Sequence, residues 1–186
     1  MNIGFALCGS FCTYKAVFPI MEELAKKYTI IPIFSFAAAT TDSRFGTAKE
    51  HIAQAEAICG RPVLSTIAQV EPIGPKKSLD ALIIAPCTGN TLAKLAHSIA
   101  DTPVTMAAKS HLRNGRPVLI AVSTNDALSG AAENIGKLLA KKNYYFVPFG
   151  QDDPAEKPTS MVADFSKIPD ALTSALAGKQ LQPILL

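Results

Sequence analysis

Three short stretches of small polar residues carry the chemistry this chain could do: "CGSFCT" at 8–13, "PCTGNT" at 86–91 and "STND" at 123–126. Each follows an apolar run, and the first two open segments with helical spacing. The first turn of a helix leaves N–H groups without partners and carries a partial positive charge, so such loops can hold phosphate or carboxylate without Lys or Arg. Ser10, Thr13, Thr88 and Thr91 would add hydroxyl donors, Asn90 and Asn125 would add amides, and Ser35 ends another strand on the same rim. Gly89 and Asn90 alone would make the bend at 86–91, so the extra hydroxyls point to a polar or anionic guest. The competing reading is that Thr88 or Asn90 only caps a helix; three polar loops on one rim weigh toward a ligand. "CGSFC" lacks the G-x-G-x-x-G fingerprint, which argues against an ordinary dinucleotide fold.

Other catalytic groups are sparse. His51 in a capped helix, His97 on a helix and His111 in a basic turn read as solvated surface residues. No His pair has i, i+4 metal spacing, and no G-x-S-x-G nucleophile turn occurs. Cys8, Cys12 and Cys87 could approach one crevice, but small buried cysteines are commonly packing residues. Asp152 and Asp153, just before Pro154, are explained by turn formation, and Asp126 by capping the helix after it. No residue is assigned as catalytic, and no metal site is indicated.

The elements that must position these loops alternate. Apolar runs at 3–7, within 28–36, and at 81–85, 117–122 and 144–148 suit strands covered on both faces, with a weaker candidate at 62–65. The spacing predicts a helix over 14–27 with Val17, Phe18, Met21, Leu24 and Ala25 inward, kinked or delayed by Pro19. A second helix is bounded by the Thr47/Glu50 capping box and Gly60, with Ile52, Ala55 and Ile58 on one face. A third begins at Asn90 with the stripe Leu92, Leu95, Ala96, Ile99. A fourth follows Ser129 with Ile135, Leu138 and Leu139 inward. This alternation predicts a single-domain α/β fold: a doubly wound, mostly parallel sheet in a Rossmann-like or flavodoxin-like three-layer sandwich. Residues 1–150 form the α/β body; 151–186 are read as a polar loop, a helix near 169–177 and a tail of the same domain.

Composition narrows the class. Of 186 residues 48% are hydrophobic and only 18% charged, enough for a sizeable core. The net charge of +3 is dispersed rather than blocked, so neither nucleic acid nor a membrane surface is expected as a partner. "MNIGFALCGS" reads as a first core strand, not a secretory leader, and four sparse cysteines fit a cytoplasmic protein with reduced thiols.

The loops resemble those of the flavin-binding cysteine decarboxylase fold group, which includes phosphopantothenoylcysteine decarboxylases and flavin prenyltransferases. Gly9 and Ser10 match the group's Gly-Ser loop; Pro86, Asn90 and Thr91 match its Pro-x-x-x-Asn-Thr loop. The resemblance implies a bound FMN and homo-oligomers, trimers or their multiples, with Met106, Phe45 and the 151–160 loop as candidate contacts. The group's basic His falls on Pro72, and its Pro-x-Met-Asn motif aligns with Val122–Asn125, where only Asn125 survives. Its Cys-containing lid is replaced by "GQDDPAEKP". Decarboxylation by the group's route is therefore not implied.

Longer segments, among them "GSFCTYKAVFP", "APCTGNTLAKLA", "PVTMAAKSHLRNGRPV" and "VPFGQDDP", resemble the B-subunit family of dipicolinate synthases over the full chain. This implies a dipicolinate synthase A-subunit partner that carries NADP, and joint oxidation of dihydrodipicolinate to dipicolinate in sporulation. Two rivals stand beside it: a cofactor-free partner that stabilises or activates the A-subunit component, and a divergent FMN-dependent decarboxylase.

Overall fold

A computed structural model describes residues Met1–Leu186. β1 (Asn2–Leu7) passes through a 3-10 turn, Phe11–Thr13, into α1 (Tyr14–Ala25) and returns as β2 (Thr29–Phe34). Then come α2 (Phe36–Thr40), α3 (Ala48–Cys59), α4 (Ile67–Val70), β3 (Ala81–Cys87), α5 (Gly89–Ala96) and α6 (Pro103–Leu112). The chain continues through β4 (Val118–Thr124), α7 (Ala132–Leu139), β5 (Tyr144–Phe146), β6 (Phe149–Gly150), β7 (Met161–Ala163) and α8 (Ile168–Leu176).

The parallel part of the sheet runs β2-β1-β3-β4-β5, the flavodoxin-like order. β4 is shared: its first half pairs in parallel with β5, and its end pairs antiparallel with β7, which carries β6 outside it. α1, α3 and α8 pack together over one side, while α4, α5, α6 and α7 pack against one another on the other. Every residue of β3 is buried, as are Val118–Ser123 of β4. Each fully buried Leu or Ile there contributes about 1.5–3 kcal/mol, which is why these runs are continuous rather than alternating. No helix is long and apolar enough to cross a membrane.

Several expectations are corrected. Pro19 does not delay α1, which starts at Tyr14 and runs through it; its ring and Lys15, one turn before it, are exposed, so the unpaired carbonyl can meet water. The 62–65 run makes only a bridge, Ile33 to Leu64. Ile99 lies beyond the end of α5, and both it and Leu139 are about half exposed. Beyond Gly150 the chain is more than loop, helix and tail: β6 and β7 form a hairpin, and Leu185 bridges to Phe149.

The longest of three unanticipated helices, with α2 and α4, is α6. Its cap is a Thr102/Thr105 box in place of the usual Glu or Gln partner, and its buried positions include Thr105, Ser110 and His111. Polar residues on an inward face erase the hydrophobic stripe. His111 is fully buried, not solvated. Its Nε2–H donates to the Pro117 carbonyl at 3.1 Å, leaving Nδ1 without a partner. Burial, chiefly, lowers its pKa from 6.5 to about 4; the nearby Arg116 also lowers it, against the Pro117 bond and Asp80. The folded protein therefore resists protonating a group that the unfolded chain protonates near pH 6.5. Stability from this source is complete above pH 6.5 and is lost as pH falls toward about 4. The loss approaches about 3 kcal/mol. Urea unfolding followed across that range should show the decline, and His111→Gln should flatten it.

Candidate functional site

The carboxyl ends of β1, β3 and β4 meet where the strand order reverses, and a cleft of about 710 Å³ opens there. Gly9–Thr13, Thr88 and Ser123–Asn125, from the three strand ends, line it. The turn Ser43–Phe45 and the β6–β7 hairpin, through Asp152, Lys157, Ser160 and Val162, complete the walls. The volume is that of an ordinary small-ligand site, roughly 300–1,000 Å³.

Hydroxyl groups knit the loops together. Ser10 Oγ and Ser123 Oγ are 2.8 Å apart, joining the ends of β1 and β4. Thr13 Oγ1 donates to the Ser10 carbonyl at 2.8 Å. Thr88 Oγ1 donates to Thr91 Oγ1, which donates to Cys8 Sγ, both at 3.3 Å, joining β3's end to β1's. Gly89 lets α5 start against the β4 loop: a Cβ there would lie 2.8 Å from both Thr124 Oγ1 and Asp126 Oδ1. No side chain caps the 3-10 turn or α5, and the N–H groups of Phe11 and Cys12 have no intramolecular acceptor.

Of the residues read from sequence, Gly9, Ser10, Thr88 and Asn125 line the cleft. Thr91 is buried beneath it. Pro86 is buried in β3 after a cis peptide bond. Ser35 is buried and caps α2, accepting from Ala38 N–H at 3.1 Å. Asn90 is exposed on the first turn of α5 and does not line the cleft.

Sequence reasoning passed over the charged walls. The rim is not built from amides and hydroxyls alone, because Arg44 and Lys157 line it too. Asp152 does more than form a turn: Lys157 Nζ lies 3.3 Å from its Oδ2. A hydrogen bond from Ser160 and this Lys157 contact hold its carboxyl below the usual range against burial. Asp153 does serve the turn, accepting from Glu156 N–H at 3.1 Å. Asp126 does not cap α7 but accepts from Thr124. A long insertion of Pro, Asp and Lys reads as solvent-facing loop; only the pairing of β7 with β4 folds it over the strand ends.

His51 is buried, contrary to expectation, with its ring 4.7 Å from that of Tyr14 and its Nε2 donating to the Phe45 carbonyl at 3.2 Å. His97 is exposed, as expected. Burial pushes the Cys8 thiol up to about 11, and burial with the neighbouring Cys8 raises Cys87 well above its ordinary value. Both stay protonated, as packing residues would. The titratable lining groups are Cys12, Arg44, Asp152 and Lys157.

Free N–H groups, hydroxyls and a cation suit an anionic group, and the rings of Phe11 and Phe45 with Val162 suit a planar one. These features define an α/β protein whose cleft, at the carboxyl ends of a parallel sheet, carries the donor set of an anion site. The Flavoprotein family model matches residues 1–175, and the chain belongs to that family, in the branch that holds the B-subunit chains of dipicolinate synthase. It is 47% identical over 186 residues to the dipicolinate synthase B subunit of Bacillus subtilis (strain 168), covering all of this chain and 93% of that one. The crystal structure of the dipicolinate synthase B subunit from Bacillus halodurans C superposes with a TM-score of 0.91 at 45% identity, over 100% of this chain and 95% of the other. The FMN-dependent cysteine decarboxylase SpaF shares the fold, with a TM-score of 0.71 at 24% identity over 95% of each chain.

Exposed Cys12 lies in the cleft whereas Cys8 and Cys87 are buried. Iodoacetamide should therefore label Cys12 in the native protein and reach Cys8 and Cys87 only after unfolding, as peptide mass mapping would report. A ligand seated in the cleft should slow labelling of Cys12 severalfold.

Proposed function

We propose that this chain is the B component of a two-component oxidoreductase that converts dihydrodipicolinate to dipicolinate during sporulation, with the A component supplying the NADP site. The observation that carries this reading is full-length identity of 47% with a named B-subunit chain. Loss of a hydride and a proton from dihydrodipicolinate leaves an aromatic pyridine, so the reaction runs downhill once a hydride acceptor is in place. The protein's work is then to position a dianion and stabilise its charge. In this reading the Ser10–Ser123 hydroxyls and the N–H groups of Phe11 and Cys12 bind anionic oxygens. Val162 and the two phenyl rings exclude water from the ring.

The alternative occupant of this donor set is FMN. Gly9, Ser10, Thr88 and Asn125 would hold it directly, Ser35, Pro86 and Thr91 would shape the loops behind them, and Asn90 would stand at the mouth. Flavin, when bound, supplies a reversible acceptor of two electrons. We further propose a cytoplasmic homo-oligomer, a trimer or multiple, consistent with free cysteines and with Phe36 and Phe45, each 46% exposed.

One observation favours a second reading, in which the A component carries all the chemistry and this chain completes its site. The carboxylate lining the cleft, Asp152, has a lowered pKa and is a weakened base. Dihydrodipicolinate oxidation should be assayed with either component by itself and with the two together, in the presence and absence of FMN. Activity that needs both components and rises with FMN supports the first reading. Full activity of the pair in preparations without visible flavin absorbance, unmoved by FMN, supports the second, and full activity of the A component on its own would end both. Ser10→Ala should weaken FMN binding, followed by fluorescence quenching, by about tenfold, the worth of one hydrogen bond to a charged group.

A further inference from the structure

The charged groups lining the cleft are unequal. Lys157 and Asp152 pair at 3.3 Å and largely cancel. Arg44 makes no ion pair or hydrogen bond, so its guanidinium is the uncompensated charge of the cleft. Its Cζ lies 4.8 Å from the centre of the Phe45 ring, which gives the flat cation a flat support.

The turn that presents Arg44 is tightly held. Ser43 and Gly46 exchange backbone hydrogen bonds at 3.0 and 3.1 Å, and Phe45 N–H donates to Ser43 Oγ at 3.1 Å. Gly46 has φ +128°, and a Cβ there would lie 2.8 Å from His51 Nε2. That same nitrogen ties down the Phe45 carbonyl, so the buried His51 anchors the turn from below. The next residues are fixed as well, since Ala48 N–H donates to Asp42 Oδ1 at 2.9 Å. Arg44 is exposed, and this fixed turn holds it at the edge of the cleft it lines.

We propose that Arg44 is a specificity residue that binds one carboxylate of a planar six-membered-ring dicarboxylate, by the paired N–H groups of its guanidinium. This rests on the functional reading above and deepens it. A monoanion can be held by the hydroxyl and amide donors at Ser10 and Ser123 alone. The second carboxylate of a rigid dianion, flanking the other side of the ring nitrogen, needs a donor of its own, and Arg44 is the cation lining the cleft that no carboxylate neutralises. A guanidinium matches a carboxylate in shape as well as charge.

The test is calorimetric titration of the full chain with pyridine-2,6-dicarboxylate and with pyridine-2-carboxylate, for wild type, Arg44→Gln and Arg44→Lys. Wild type should prefer the dicarboxylate. Arg44→Gln should bind it about tenfold more weakly and shrink the di- to monocarboxylate ratio toward one, while FMN affinity stays within about twofold. Arg44→Lys, which keeps the charge without the fork, should recover only part of the preference. Unchanged preference in Arg44→Gln overturns the role of Arg44 and leaves the functional reading standing. A wild-type chain indifferent to both pyridines overturns the functional reading itself. A large loss of FMN binding in Arg44→Gln with the pyridine preference intact would reassign Arg44 to a flavin phosphate and overturn the proposal.

Discussion

Burial of β3 and β4 on both faces is the constraint from which the rest of this structure follows. A strand sealed between two helical layers cannot end in polar residues until it emerges, so hydroxyl and amide side chains collect where the strands leave the sheet. Because β1, β3 and β4 run in one direction side by side, their polar ends emerge together. The order reverses between β1 and β3, sending the following helices to opposite faces and leaving a crevice between their starts. Cys8, Thr88 and Thr91 then hold the β1 and β3 ends at a common level.

The cleft separates two kinds of polar work. Ser10, Ser123 and the uncapped turn place hydroxyl and N–H donors at fixed strand ends, at little conformational cost. Charge comes from elements added around the sheet: the Ser43–Gly46 turn and the β6–β7 hairpin. Lys157 and Asp152 pair on the hairpin, which leaves Arg44 as the lining cation without a carboxylate partner. The buried histidines belong to this architecture as well. His51 holds the turn that carries Arg44, and His111 joins α6 to the start of β4 through Pro117. Each uses one ring nitrogen and leaves the other bare, a polar cost accepted where a carbonyl had to be met inside the core.

Much of this was legible in the residues. The apolar runs located β1 to β5, the Thr47/Glu50 box and Gly60 bounded α3, and the three polar loops marked part of the cleft lining. What escaped was whatever depended on a distant neighbour. The segment 103–112 hid its helix because its inward face carries Thr105, Ser110 and His111. His51 and His111 looked solvated because a lone histidine has no local sign of the carbonyl it will meet. "QDDPAEKP" looked like a spacer because two short strands carry no periodicity of their own.

The sequence by itself therefore determined the order of β1 to β5 and of α1, α3, α5, α7 and α8, the capping of α3 and the polar character of the strand ends. These depend on spacing between near neighbours and on the demand that apolar runs be covered. Tertiary structure alone decided that Ser10 would meet Ser123, that Arg44 would line the same cleft without a partner, and that Asp152 would be answered there by Lys157. Ser10 and Ser123 stand 113 positions apart, and only the packing of the sheet, which no local pattern records, brings their side chains within hydrogen-bonding distance.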